Sequence, residues 1–156
     1  MKHEFQVEIN WKKPEQTSIV ADKKKFKNHK ITLDNKPDLN VSAAKSFKGD
    51  ASLYNPEDLL LSSLASCHFM SYLYCCSQHG IEVLSYTDKA FAYLEVNADG
   101  SGRIIKVVLN PEFTITNPNQ VELAISLHSK ANKLCFIANS CNFPVEHIAK
   151  CHVLTT

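Results

Sequence analysis

The sequence lacks an excess of charge of either sign. Its 17 lysine and arginine residues face 16 aspartate and glutamate residues, which leaves a net charge of +1 at pH 7. Without a strong positive potential there is no electrostatic basis for binding nucleic acid or an anionic membrane, so we expect neither partner. The composition, 44% hydrophobic and 21% charged, is that of an ordinary globular protein. Because 156 residues suffice for one domain with a buried core, we predict a single domain over residues 1–156.

The sequence also lacks an apolar leader and an uninterrupted apolar stretch. The first residues, MKHEFQVEINWKK, are polar and alternating, with no apolar signal core. We therefore expect a cytoplasmic protein. The longest nearly apolar run, at residues 59–76, is interrupted by four serines and a histidine. This pattern predicts a buried helix and not a membrane-spanning one.

Cysteine pairs with the spacing of zinc ligands are absent as well. The chain has six cysteines and seven histidines, but it has neither the Cys-x2-4-Cys pairs nor the matched histidine spacing of structural zinc sites. The nearest approach to such a pair, Cys135 and Cys141, is separated by five residues. The sequence therefore predicts no metal site, and we expect no other cofactor. In a reducing cytosol the cysteines are interpreted as thiols, and not as a structural disulfide framework.

Hydrophobic periodicity divides the chain into strands and helices. Apolar and polar side chains alternate over residues 5–11, which is typical of a strand. Further short strands are predicted at residues 17–21, 29–33 and 39–43. The basic run at residues 23–27 is interpreted as a solvated turn.

A long helix is predicted next. Asn55 is a suitable N-cap, Pro56 suits the first helical position, and Gly80 is the expected terminator. Strands at residues 83–97 and 103–114, a helix at 120–134 and a last strand at 145–154 follow. The order βββ–α–ββ–α–β predicts an α+β fold in which antiparallel sheets pack around a long central helix.

Two cysteines have surroundings that suit redox chemistry. Cys67 lies in mid-helix among small residues, which leave space around its sulfur, and a reactive thiol must be reachable. Cys135 lies at the end of the second helix, where a thiol can move to meet a sulfenic acid. A structural role as a small buried thiol is the alternative for both. Four other cysteines are predicted to be core residues, namely Cys75, Cys76, Cys141 and Cys151.

Two motifs together resemble the superfamily of osmotically inducible protein C (OsmC) and organic hydroperoxide resistance (Ohr) proteins. The segment NPEDLLL at residues 55–61, followed by ASCH at residues 65–68, is similar to the family's helix with the first cysteine. The segment LHSKANKLC at residues 127–135 is similar to the helix with the second cysteine. The order of elements is similar over essentially the whole chain.

The resemblance implies an OsmC-like fold and an intertwined homodimer with active sites at the subunit interface. It also implies a thiol-dependent peroxidase, active in oxidative-stress defence, that reduces organic hydroperoxides and in some members hydrogen peroxide. By this resemblance Cys67 attacks the peroxide and becomes a sulfenic acid, Cys135 resolves it as a disulfide, and Glu57 belongs to the active-site network. A dithiol, such as that of a lipoylated protein, is then the reductant.

Helix geometry places a condition on Glu57. It lies ten residues before Cys67, which corresponds to about 15 Å on an unbroken helix. The simplest way for Glu57 to serve Cys67 is therefore from a second subunit. A first-turn residue that stabilises the helix dipole is the alternative role for Glu57.

The sequence departs from the family at one active-site position. In the hydroperoxide resistance proteins an arginine from the amino-terminal region pairs with the glutamate, whereas Arg103 is the only arginine of this chain. A lysine does not reproduce the planar fork of a guanidinium group. The candidate cations that could replace it are Lys27, His29, Lys45 and Lys48.

Two other functions are compatible with the sequence. A non-catalytic module on the same fold could bind or sense a small apolar ligand, and the missing arginine is the best support for it. A thiol-redox enzyme could exchange electrons with disulfides through Cys67 and Cys135 without a peroxide. For the peroxidase we expect an apolar pocket near the thiols, formed by Leu60, Leu64, Phe69, Phe136 and Ile137.

Overall fold

The computed structural model describes residues 1–14 and 25–154. The strand expected at residues 17–21 lies outside the described residues. The chain divides into two compact units, Met1–Leu60 and Leu61–Thr156. Since compactness alone does not establish independent folding, the single domain over residues 1–156 stays a prediction.

The first unit contains a three-stranded antiparallel sheet. Its strands are β1 (Glu8–Asn10), β2 (His29–Thr32) and β3 (Leu39–Val41), in the order β1-β2-β3. Strand β1 is shorter than the alternation at residues 5–11 suggests. The reason is that this alternation has no buried face, since Phe5 and Ile9 are both exposed.

The long helix α1, Pro56–Gln78, begins and ends where the sequence predicts. The Asn55 side chain accepts a hydrogen bond of 2.8 Å from the backbone N–H of Asp58, which confirms the N-cap. After the helix, Gly80 has φ of +62°, a left-handed conformation that favours glycine. Local capping signals therefore fix both ends of α1.

One face of α1 is buried in the second unit. It carries Leu64, His68 and Tyr72, followed by the adjacent Cys75 and Cys76. The sequence predicts a helix covered on several faces, but the face with Met70 and Tyr74 is more than half exposed. By length and composition alone α1 could also cross a membrane, a property that it shares with buried core helices.

The second unit has more strands than predicted. Strands β4 (Val83–Asp88) and β5 (Phe91–Val96) replace the one strand expected at residues 83–97. Likewise β6 (Gly102–Leu109) and β7 (Pro111–Ile115) replace the strand expected at residues 103–114, so each prediction was too long. The two members of each pair belong to different sheets, β4 and β7 to one and β5 and β6 to the other.

A polar corner explains these two breaks. The backbone N–H of Asn110 donates to the Asp88 carboxylate at 2.7 Å, and the Asn110 side-chain amide donates to the Lys89 carbonyl at 2.9 Å. Pro111, which follows, has no N–H to continue the ladder. The chain therefore passes from one sheet to the other twice at this corner, between β4 and β5 and between β6 and β7. The alternation of side chains gives no signal of such a change.

The remaining elements complete both sheets. Helix α2 (Val121–Leu134) is followed by the short helix α3 (Phe136–Asn139). The predicted last strand is again two strands, β8 (Val145–His147) and β9 (Lys150–Val153). They pair in parallel with β6 and β7, so the sheets β5-β6-β8 and β4-β7-β9 are mixed rather than purely antiparallel. The core of this unit contains Tyr72, Phe113, Ile115, Ala124 and Leu127.

Candidate active site

Cys67 lies on α1 at the wall of an open cavity. The cavity has a volume of about 360 Å³ and is lined by Cys67 and five other residues of the second unit. Four of the lining residues lie on α1 at intervals of three and four positions, which places them on one helix face. The lining residues are Cys67, Met70, Ser71, Tyr74, Leu134 and Phe136.

This cavity corrects the pocket expected from the sequence. Phe136 lines it as predicted, but Leu64 is fully buried in the core and Phe69 packs against Tyr86 with ring centroids 4.7 Å apart.

Two lining residues that the sequence analysis missed could have been found by helical periodicity. Met70 and Tyr74 follow Cys67 by three and seven positions, which places them on the same helix face. The lining is apolar apart from the Cys67 thiol, the Ser71 hydroxyl and the Tyr74 phenol.

Cys135 is held at the junction between α2 and α3. It is the C-cap of α2 and the N-cap of α3 at once. Its sulfur accepts a hydrogen bond of 3.4 Å from the backbone N–H of Ala138, and the side chain is fully buried. A thiol in this position is shielded from solvent and lies between the ends of two helices.

The structure brings the two predicted thiols together. The Cys135 thiol lies close enough to the Cys67 thiol for Cys67 to raise its pKa. Burial and, to a lesser extent, the neighbouring Cys67 together raise the pKa of Cys135 to about 11, against an opposing effect of the Ala138 N–H. Cys135 is therefore protonated at neutral pH.

Glu57 lies elsewhere, in the first unit. It lines a cavity of about 340 Å³ together with Lys27 and His29. Because α1 is continuous from Pro56 to Gln78, Glu57 and Cys67 are separated by about 15 Å along one helix. The helix is thus unbroken, as the argument for a second subunit requires.

Two of the four candidate replacements for the family's arginine lie in the same cavity as Glu57. Lys27 and His29 share it with Glu57, whereas Lys45 belongs to a 3-10 helix and Lys48 is its left-handed C-cap. The Lys27 ammonium donates to the Phe47 carbonyl at 2.6 Å, and the His29 Nδ1 lies 2.9 Å from the Lys27 carbonyl.

Arg103, the one arginine of the sequence, is exposed on β6 opposite Glu95.

Three further cysteines cluster around Tyr72 in the core. Cys75 and Cys76 are buried on α1, and Cys151 packs against them from β9. Burial raises the pKa of each of these thiols. All three are thus protonated at neutral pH, and the burial of Cys75 and Cys76 agrees with the core role predicted for them, whereas Cys151 is partly exposed.

The sequence of the chain matches one family model, described as OsmC-like protein, over residues 49–149. Among curated proteins, none matches the chain. The matched span covers both thiols, Glu57 and the whole of α1 and α2.

Solved structures share the fold over nearly the full chain. An OsmC-like protein of unknown function from Vibrio cholerae is 25% identical, with a TM-score of 0.83, and the alignment covers 95% of this chain and 99% of that one. An organic hydroperoxide resistance protein from Elizabethkingia anophelis is 17% identical, with a TM-score of 0.70 and coverages of 99% and 100%. One from Bacillus subtilis is also 17% identical, with a TM-score of 0.62 and coverages of 94% and 98%. The predicted α+β OsmC-like fold is confirmed.

Proposed function

The chain belongs to the OsmC-like protein family, and we propose that it is a thiol-dependent peroxidase that reduces organic hydroperoxides. Family membership and the similarity to organic hydroperoxide resistance proteins support a peroxide-related role. The observation that carries the finer proposal is the proximity of Cys67, at the wall of an apolar cavity, to the buried Cys135 thiol, whose pKa it raises. Among the cysteines in the described part of the chain, Cys67 is the one that lines this cavity.

The two thiols are suited to different steps. Cys67 is partly exposed and faces the cavity, so a hydroperoxide can reach its sulfur. Cys135 is fully buried and protonated, so it can donate a hydrogen bond to a Cys67 thiolate but cannot attack a peroxide from solution. We therefore assign the attack on the peroxide to Cys67 and the resolving step to Cys135.

In the first step the Cys67 thiolate attacks the distal oxygen of the hydroperoxide. A sulfur–oxygen bond forms, the oxygen–oxygen bond breaks, and the alkoxide takes a proton to leave as the alcohol. In the second step Cys135 attacks the sulfenic sulfur, a disulfide forms and water leaves. An external dithiol then reduces the disulfide and is itself oxidised to a disulfide.

The first step also prepares the second. The neighbouring Cys67 contributes to the raised pKa of Cys135, because a charge on one thiol disfavours a charge on the other. Conversion of a Cys67 thiolate to a neutral sulfenic acid removes that charge. The Cys135 thiol consequently becomes easier to deprotonate when its attack is needed, and the Ala138 N–H stabilises the thiolate that forms.

The lining of the cavity supports an organic substrate. Met70, Tyr74, Leu134 and Phe136 offer apolar surface to an alkyl or aryl group, which hydrogen peroxide does not have. We expect kcat/KM for cumene hydroperoxide to exceed that for hydrogen peroxide by at least about tenfold, the value of burying a few apolar groups. Turnover measured with a dithiol reductant, dithiothreitol or dihydrolipoamide, provides the comparison.

The outcome of this comparison distinguishes the peroxidase from the ligand-binding module and from the thiol-redox enzyme. Turnover with both peroxides at the same low rate would leave the apolar cavity without a role in substrate choice. No turnover, combined with binding of apolar compounds at the cavity, would favour the ligand-binding module instead. Fast reaction with disulfide substrates but not with peroxides would favour the thiol-redox enzyme.

We further propose a homodimer in which Glu57 serves the Cys67 of the partner subunit. The exposed apolar face of α1, with Met70 and Tyr74 both more than half exposed, supports coverage by a second copy. Lys27 and His29 line the Glu57 cavity and supply the nearby cationic groups that an arginine would otherwise supply. The proposed setting is a reducing cytosol, in which a dithiol protein regenerates the enzyme.

Mixed dimers test the shared site. Glu57→Gln and Cys67→Ser are each expected to be inactive alone, whereas dimers formed by refolding an equal mixture contain one site with both native residues. Random pairing should restore about a quarter of the wild-type activity. If the mixture remains inactive while size-exclusion shows that mixed dimers form, Glu57 does not act across the interface.

A further inference from the structure

Two buried histidines connect the helices that carry the thiols. The His68 Nε2 atom on α1 lies 3.0 Å from the His128 Nδ1 atom on α2. Both side chains are fully buried, and their rings lie nearly parallel at a centroid distance of 5.3 Å. His68 thus points away from the cavity, as expected for the residue next to Cys67 on a helix.

The hydrogen bond requires one proton between the two rings. When both histidines are neutral, one of the bridging nitrogens is N–H and the other is bare. The outer nitrogens, His68 Nδ1 and His128 Nε2, are buried without a hydrogen-bond partner in the described part of the chain. Burial, followed by the effect of neighbouring histidines, lowers the pKa of His68 to about 4 and of His128 to about 3, so the pair is neutral at physiological pH.

Other groups fix the pair from each neighbouring element. Tyr72 of α1 stacks on His128 at a centroid distance of 3.8 Å, and its hydroxyl donates to the Ala124 carbonyl of α2 at 3.0 Å. Tyr86 of β4 and His147 of β8 are the other titratable groups that face the pair. Burial raises the pKa of both tyrosines far above the physiological range, so both are neutral. Phe113 of β7 completes the surroundings.

The position of the pair connects it to the thiols. His68 directly follows Cys67 on α1, and His128 lies two helical turns before Cys135 on α2. A disulfide forms only when the two Cα atoms are within about 7 Å and the sulfurs are suitably oriented. The buried hydrogen bond thus joins α1, next to Cys67, to α2, at about 10 Å of helical rise from Cys135.

We propose that His68 and His128 are positioning residues for the thiol pair, whose hydrogen bond holds Cys67 and Cys135 in the register that favours their disulfide. The physiological meaning of this role rests on the proposed peroxidase function. The positioning itself does not, because the disulfide can be formed with any thiol oxidant. It is therefore measurable as the equilibrium constant between the dithiol and disulfide forms in a glutathione redox buffer.

The test compares two substitutions at His128. His128→Phe keeps an aromatic ring against Tyr72 but removes the hydrogen bond, whereas the Asn side chain of His128→Asn places an oxygen near the position of Nδ1. His128→Phe should lower the equilibrium constant for the Cys67–Cys135 disulfide by about tenfold, the usual worth of one buried hydrogen bond. His128→Asn should remain within about threefold of wild type. As a control, His79→Phe removes a histidine just after α1, whose ring nitrogen lies 2.9 Å from the Cys75 carbonyl, and should leave the constant unchanged.

The equilibrium constant distinguishes positioning from general stability. A purely structural role would destabilise the dithiol and disulfide forms equally and leave the glutathione equilibrium unchanged, even if the melting temperature falls. An unchanged constant in a folded His128→Phe variant, or no Cys67–Cys135 disulfide in the wild-type protein, would overturn the proposal. If the constant responds to His128→Phe but cumene hydroperoxide does not react with Cys67, the positioning role stands and the peroxidase function fails.

Discussion

Cys67→Ser should abolish hydroperoxide reduction, with a loss of at least about a thousandfold in kcat/KM, because the attacking sulfur is removed. Cys135→Ser should give a different result. Its Cys67 is still exposed to the cavity, so the first reaction with cumene hydroperoxide should keep a rate within about threefold of wild type. Turnover should then stop at the sulfenic acid, because the resolving thiol is missing.

A single-turnover experiment with dimedone, which traps sulfenic acids, distinguishes the two variants. The Cys135→Ser protein should gain one dimedone group at Cys67, and the Cys67→Ser protein should gain none. Cys141→Ser is the matched control, since Cys141 is a partly buried thiol whose pKa is raised by burial. A dimedone group on Cys135, or wild-type activity in Cys67→Ser, would reverse the assignment of roles.

Acid should destabilise the fold through the two buried histidines. The pKa of His68 is lowered to about 4 and that of His128 to about 3, whereas in the unfolded chain both lie near 6.5. Above pH 6.5 both are neutral in both states, and their full contribution to stability is present. As the pH falls below 6.5 the unfolded chain takes up protons that the folded chain rejects, so the free energy of unfolding decreases until the folded pKa values are reached.

The size of this effect follows from proton linkage. Between pH 7 and pH 5 each histidine should lower the free energy of unfolding by about 2 kcal/mol. Urea denaturation at several pH values measures the slope, and the double variant His68→Phe with His128→Phe should flatten it. The carboxylate of Glu112, whose pKa is lowered by its hydrogen bond with His152, acts below about pH 4.5 and does not disturb this window. An equally steep slope in the double variant would show that the pair does not cause the acid sensitivity.

The helix ends and the thiol-bearing segments could be predicted from the sequence because their signals are local. Asn55, Pro56 and Gly80 determine α1 within a few residues of each end. The two cysteine motifs led to the correct family and fold. Local capping and short motifs thus established most of the framework before any long-range contact was known.

The breaks in the strands could not be predicted, since they depend on residues distant in the sequence. Asp88 and Asn110 are 22 residues apart, and their hydrogen bond marks the corner where the chain passes from one sheet to the other. The histidine pair likewise depends on a contact between residues that are distant in the sequence. His68 and His128 are 60 residues apart, and neither position carries a pattern that distinguishes a buried histidine from an exposed one. Contacts of this kind arise from tertiary packing and leave no local signal.

The most direct test of the central claim is a mass map of the wild-type thiols after reaction with one equivalent of cumene hydroperoxide. All six cysteines are free in the reduced protein. We predict that two of them can no longer be alkylated after the reaction. One pair of peptides should appear, joined by a Cys67–Cys135 disulfide. A protein that retains six free thiols under these conditions, or a disulfide that joins other cysteines, would contradict the assignment of this pair as the redox centre.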